Sequence, residues 1–223
     1  MNPAQPTPTP ASWRQLLDVS VSPSAREAVL SLLSELGEKK DGLSARLGFG
    51  KLNRLVRRAE VGTTASDYQD EDIAARVGFI AGLAELIDPA DLPDILTTLY
   101  RTGTGREQVS VLRALSVLPD GVALIPLARE ASRTNDVTVF SALACDSTFP
   151  VRFLPDPALE QLVLKGLFLG VPIGRIQGIE SRVTVELQRM ISDYASERQA
   201  AGRPVPSDVP WLLGLSPTPA RTT

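Results

Sequence analysis

The sequence predicts an all-α protein, and three observations carry that prediction. Strand signals are nearly absent: aromatic residues are 5% of the chain, and no alternating apolar and polar run is bounded by hairpin dipeptides. Apolar residues instead recur three and four apart, most clearly at Ile73, Val77, Ile80, Ala84 and Ile87, the spacing of one helix face. The triplet Leu-Pro-Asp occurs at 92–94, 118–120 and 154–156, each time ahead of a helical segment. Proline ends one element and aspartate begins the next, so each triplet predicts a helix-to-helix turn. Turns so spaced suggest a short α-solenoid, a HEAT-like stack of helical hairpins with a compact C-terminal helical cap; an irregular bundle is the alternative.

Taken in order, residues 1–11 are rich in Pro and Thr and predict a disordered tail. A single all-α domain is expected over 12–213, with a second disordered tail over 214–223. A short helix covers Trp13 to Val19. Ser22 and Pro23 open a clearer one, with Val29, Leu32, Leu33 and Leu36 on one face and Gly37 at its end. The stretch 39–61 is ambiguous: its residues are helix formers, but Gly42, Gly48 and Gly50 interrupt them, and Arg54, Arg57 and Arg58 read as a solvated face.

Residues 62–65 form a loop. Ser66 and Gln69 make a capping box for the helix carrying Ile73, which Pro89 ends. Asp94 is placed to cap a helix through Tyr100. Thr104 and Glu107 form a second capping box, leading to Leu112, Leu115 and Leu118. The helix begun at Asp120 tolerates Pro126 only with a kink or a late start. Residues 135–144 are helical and 148–154 form a loop.

The stretch 154–205 organises the rest. Asp156 is the expected N-cap of its first helix, with Pro157 at the first helical position. Leu159, Leu162, Val163, Leu164, Leu167, Phe168 and Leu169 are apolar all round, which predicts burial on most sides, and Lys165 interrupts them. Gly170, Pro172, Gly174 and Gly178 break the helix at a corner from which Arg175 projects. Ser181 is the expected cap of the next helix, whose apolar face is Val183, Leu187, Met190, Ile191 and Tyr194; Gly202 and Pro204 stop it. Beyond, Trp211 and Leu213 can tuck back onto the body.

Composition excludes whole classes of chemistry. The chain has no histidine, which removes Ser-His-Asp triads, His-ligated metals and imidazole acid–base catalysis. Its one cysteine, Cys145, forms no internal disulfide and no cysteine-only zinc site, and on a helix it reads as a packing residue. Neither a phosphate-binding loop of the Walker type nor a strand-linked GxGxxG is present. Gly103-Thr104-Gly105 reads as a turn. The net charge of −3 and pI near 5.2 favour neither nucleic acid nor an anionic membrane. No stretch reaches the ~18–20 apolar residues of a membrane span, and no targeting signal is evident, so the expectation is a cytoplasmic protein that is not integral to a membrane. Asp67, Asp70, Glu71 and Asp72 are of the type that holds Mg²⁺-diphosphate in helical prenyl-transfer enzymes, but no matching second motif follows. The plainer reading is an acidic first helical turn.

The candidate ligand contacts are Lys165, Arg175, Asn135, Arg133 and Asp193; no catalytic residue, metal ligand or cofactor is assigned. Lys165 can bind an anion or form a Schiff base, or can pair with Asp193, Glu197, Glu186 or Glu180. Arg175 can hold a carboxylate, phosphate or phenolate, or tie down helix carbonyls. Arg133, Thr134 and Asn135 can line the same region or cap a helix. Arg189 and Asp193 read as a helix pair.

The segments KGLFLG, PIGRIQGI, ELQRMISDYASER and AAGRPV, with SRTNDVTVFSALA upstream, resemble the C-terminal half of the EboA family of metabolite-traffic proteins. The likeness is closest from about Arg133 to Val205. The chain departs from that pattern at Ser196, where the family usually has His, and at Gln199, where it often has Trp. Where the family often has Trp-Asn-Gln, this chain has Leu159, Glu160 and Gln161. The resemblance implies a non-catalytic component of a secondary-metabolite system that helps move a precursor towards the cell envelope. It also implies partners from the same gene cluster: a small-molecule metabolite or a protein, such as a membrane prenyltransferase-like protein. A protein–protein scaffold without a ligand site, and an isoprenoid or prenyl-transfer enzyme, are the alternatives.

Overall fold

The computed structural model describes the backbone of residues 13–39, 41–59 and 65–219; the side chains of 16, 53, 57–59 and 65–69 lie outside the description. The expected N-terminal tail, most of the 62–65 loop and the Ser66/Gln69 capping box therefore fall outside it. Every regular element among the described residues is helical. The chain divides into two compact units, one of Thr7–Leu127 and one containing Ala128–Thr223.

In the N-terminal unit, α1 (Trp13–Ser20), α2 (Pro23–Lys39), α3 (Gly42–Ala59) and α6 (Gly105–Ala114) all pack against α4 (Ala65–Leu86), and α5 (Leu92–Thr102) packs against α3 and α6. The sequence gives α4 one apolar stripe, yet Phe79, Ile80, Leu83 and even Arg76 are fully buried, so the helix is enclosed on most sides. Its small residues explain this. A Cβ on Gly78 would lie 2.3 Å from Leu17 Cδ2, and one on Gly82 would lie 2.4 Å from Leu33 Cδ1, so α1 and α2 approach α4 where it has no side chain. Within the ambiguous stretch 39–61, residues 42–59 form the helix α3, with Ala45, Phe49, Leu52 and Val56 in the core. Gly48 lies under the Phe79 ring, its would-be Cβ 3.0 Å from Cζ. Packing of that face overrides the weak helix propensity of the glycines.

The turn chemistry is realised with shifted residues. α5 starts at Leu92 with Pro93 in its first turn; Asp91, not Asp94, is at the N-cap. At α6 the expected capping box is present, with the Thr104 N–H donating to Glu107 Oε2 at 2.8 Å. Asp120 accepts from Val122 N at 3.0 Å ahead of a 3₁₀ turn, Val122–Leu124. α7 (Ile125–Ala131) then takes the late start, with Pro126 as its second residue.

In the C-terminal unit α8 spans Val137–Ala144. Its N-cap is Asp136, which accepts from Thr138 N and Val139 N at 2.8 and 3.1 Å; neither Thr134 nor Asn135 takes that place. The expected loop at 148–154 contains a short helix, α9 (Phe149–Phe153). α10 (Asp156–Leu169) buries Leu159, Leu162, Val163 and Leu167, and ends at Gly170 in the left-handed region, φ 72°. Two 3₁₀ turns, Ile173–Arg175 and Ile179–Arg182, make the corner. α11 (Val185–Ala200) is capped by Thr184, whose hydroxyl accepts from Leu187 N at 3.0 Å; the expected cap, Ser181, instead donates to the Gly178 carbonyl. In α12 (Asp208–Leu213), Val209 and Leu212 do the packing expected of Trp211 and Leu213, which remain more than a third exposed. Thr218 N–H donates to the Val183 carbonyl at 2.7 Å.

Candidate functional site

Charges placed in an apolar interior need partners, and the C-terminal unit supplies them almost everywhere. Arg182, 3% exposed, is the anchor of the corner: its Nε donates to Asp156 Oδ1 at 3.1 Å and its Nη2 to the Leu154 carbonyl at 2.9 Å. Closer contacts go to the same carboxylate and to the Val151 carbonyl. Asp156 therefore neutralises a guanidinium from across the unit rather than capping α10, and the capping residue is Pro155. One turn further along α10, the buried Glu160 accepts a hydrogen bond from the Thr184 hydroxyl, tying α10 to the start of α11. Tyr194 on α11 donates to the Leu167 carbonyl at 3.1 Å, and its ring meets Phe168 edge-on, centroids 4.9 Å apart. Phe168 is itself 62% exposed.

Two of the expected ligand residues are already engaged. Arg175 forms a reciprocal clasp with Asp146: its guanidinium grips both carboxylate oxygens, Nε to Oδ1 at 3.2 Å, while Asp146 N–H donates to the Arg175 carbonyl at 2.8 Å. Asp146 adopts a left-handed φ of 55° to do so. The Asp146 hydrogen bond holds the Arg175 guanidinium still more firmly in its charged form. Asp193 is bound by Arg189 at 2.7 Å, and the same guanidinium holds Glu186. Arg133 and Asn135 are exposed between α7 and α8. Among the described residues, no hydrogen bond or ion pair joins any two of Lys165, Arg175, Asn135, Arg133 and Asp193.

Lys165 is the exception to this neutralisation. It is half-buried on α10, and its ammonium lies 5.8 Å from the centre of the Phe140 ring of α8. Among the described residues no carboxylate lies within ion-pair distance of it; the expected partners Asp193 and Glu186 are taken by Arg189. Removal from water pushes its pKa below the usual lysine value. An anion arriving here displaces no internal carboxylate, whereas at Arg175 it has to displace Asp146.

The acidic residues of α4 are committed elsewhere. Asp72 and Arg76, both fully buried, pair along the helix at 3.2 Å. Arg76 also donates to the Phe49 carbonyl at 2.8 Å and pairs with Glu107 at 3.2 Å. Burial raises the Asp72 carboxyl above its ordinary range, with Arg76 opposing. Glu71 accepts from Ser22 N at 2.6 Å. Among the described residues no group of three His, Cys, Asp or Glu is arranged to hold a metal ion. Cys145 is buried, and its desolvated thiol is pushed up to about 11, so it is unreactive near neutral pH. The Asp72–Arg76 pair was missed in the sequence, where Asp72 read as part of an acidic first turn; its signal is two opposite charges four apart. The Arg182–Asp156 and Thr184–Glu160 contacts join residues 26 and 24 positions apart, and no local signal marks them.

The fold and the site define an all-helical protein in which, among the described residues, the interior charges are matched to one another and one half-buried lysine is left over. No helix among the described residues is long and apolar enough to cross a membrane. Residues 50–214 match the family described as "Metabolite traffic protein EboA", and the chain belongs to that family. The family's name fits a role in metabolite traffic. No curated protein and no solved structure matches the chain.

Proposed function

We propose that this chain is a non-catalytic carrier or helper in a secondary-metabolite system, working in the cytoplasm and passing an anionic precursor towards the cell envelope. The observation that supports this reading best is Lys165, a half-buried cation over an aromatic ring, with no carboxylate against it among the described residues of a unit whose other described interior charges are engaged. A phenolate, carboxylate or phosphate on a largely apolar metabolite suits that setting, the anion meeting the ammonium and the apolar body meeting the helix surfaces. The family match runs across both compact units, which supports their acting together as one region within 12–213, flanked by tails. The stacking of hairpins in a HEAT-like manner is part of the same reading and is supported by the Leu-Pro-Asp turns, of which those at 92–94 and 154–156 lie at the starts of α5 and α10 and that at 118–120 lies ahead of a 3₁₀ turn.

A second reading, a scaffold for a protein partner such as a membrane prenyltransferase-like protein, is favoured by the exposed Phe168 ring on Tyr194. A prenyl-transfer enzyme has less support, since Asp72 and Glu71 are committed internally. The test is deletion of the gene in cells that make the metabolite, with the precursor measured in cytoplasmic and envelope fractions. Retention of the precursor in the cytoplasm is the expected result; an unchanged distribution contradicts it.

A further inference from the structure

The overall charge of −3 hides a strong local imbalance. α3, GLSARLGFGKLNRLVRRA, contains five cationic residues and no carboxylate. Its inner face is fixed by Ala45, Phe49, Leu52 and Val56 in the core. At 100° per residue, positions 43, 46, 47, 50, 51 and 54 then fall together on the opposite side. The observed exposures agree: Leu43 is 64% and Leu47 55% exposed, and Arg46, Gly50, Lys51 and Arg54 are exposed as well. Around the helix, Arg46 lies to one side of the two leucines and Lys51 to the other, with Arg54 next along the same line. Among the described residues none of these three cations is in an ion pair.

Two adjacent exposed leucines framed by cations that no described carboxylate pairs ask for one occupant that offers both an apolar phase and anionic groups. A nucleic-acid backbone satisfies the cations but leaves Leu43 and Leu47 in water, and the face carries no aromatic side chain on which a base could stack. The surface of an anionic bilayer satisfies both at once. The leucines enter the acyl boundary while the long cationic stems lie along it and reach the phosphates. We infer that α3 is a peripheral docking face for an anionic membrane surface, with Leu43 and Leu47 inserted and Arg46, Lys51 and Arg54 on the lipid phosphates. The contact lies in the plane of the interface and requires no spanning helix.

The experiment is co-sedimentation of the full chain with vesicles of phosphatidylglycerol and phosphatidylcholine at near-physiological salt, against vesicles of phosphatidylcholine alone. Binding to the anionic vesicles only, weakened by added salt, is expected. Each of Arg46→Gln, Lys51→Gln and Arg54→Gln should lower the partition coefficient about fivefold. The pair Leu43→Ser and Leu47→Ser should lower it at least about tenfold. All five positions are exposed, and far-UV circular dichroism with a melting curve checks that each variant is folded. Absence of binding by the folded full chain overturns the inference. So does binding that the variants leave unchanged, or binding to a DNA or RNA duplex in place of vesicles.

Discussion

Replacing Arg182 with methionine isolates the contact that holds the corner of the C-terminal unit together. The guanidinium is 3% exposed and Asp156 5%, and the same side chain serves the Leu154 and Val151 carbonyls. Methionine preserves much of the volume, so the loss is electrostatic: a buried carboxylate loses its guanidinium and two carbonyls lose a donor. Breaking one side of a buried pair costs about 3–5 kcal/mol. In a chain of this size a loss of that order lowers the melting temperature by roughly 10 °C. Because most of the cost is the stranded charge, Arg182→Met combined with Asp156→Leu should be more stable than Arg182→Met alone, by at least about 1 kcal/mol. Urea unfolding followed by circular dichroism, run as a double-mutant cycle, measures both quantities. A loss below about 1 kcal/mol in the single variant, or simple additivity in the double, refutes the assignment of Arg182–Asp156 as the internal tie.

Other expectations follow from the same geometry. Gly78→Ala places a methyl 2.3 Å from Leu17 Cδ2 and should cost about 1–3 kcal/mol, whereas Gly50→Ala, with open space around its Cβ, should be neutral or stabilising by up to ~1 kcal/mol; melting curves of the two variants decide this. Cys145 should alkylate at pH 8 roughly a hundredfold more slowly than a thiol of ordinary pKa 9.0, because burial pushes it up to about 11; labelling in native buffer and in urea compares the two states. The folded pKa is the higher one, so the stability tied to the protonated thiol is complete below about pH 9 and is lost as pH rises through about 11.

The helical class was legible because it rests on local periodicity, and the ends of elements were legible where proline or a capping box fixed them, as at Pro126 and Glu107. Segment 39–61 was not, because glycine signals a break in isolation, while in α3 one glycine lies under Phe79 and another faces open space. Asp156 and Ser181 carried sound capping signals, yet Asp156 serves Arg182 and the cap of α11 moves to Thr184, both outcomes of contacts distant in sequence. The same limit applied to the candidate ligand residues. Sequence picked out Lys165 within an apolar helix and Arg175 at the corner after it, and only three dimensions separate the one held by Asp146 from the one left over an aromatic ring. The cationic face of α3 was legible only as a solvated cluster of Arg54, Arg57 and Arg58, because the helical phase that sets Leu43 and Leu47 beside Arg46, Lys51 and Arg54 is fixed by burial of the opposite side.

The reading of this chain as a carrier rests on Lys165 above all. The direct measurement is mass spectrometry of the intact chain purified from cells that make the metabolite, for the native protein, Lys165→Arg and Lys165→Met. The account predicts a co-purifying small anion in the native chain, kept in the arginine variant and lost in the methionine variant, with melting temperatures alike. Equal retention in all three, or none in the native chain, would contradict it.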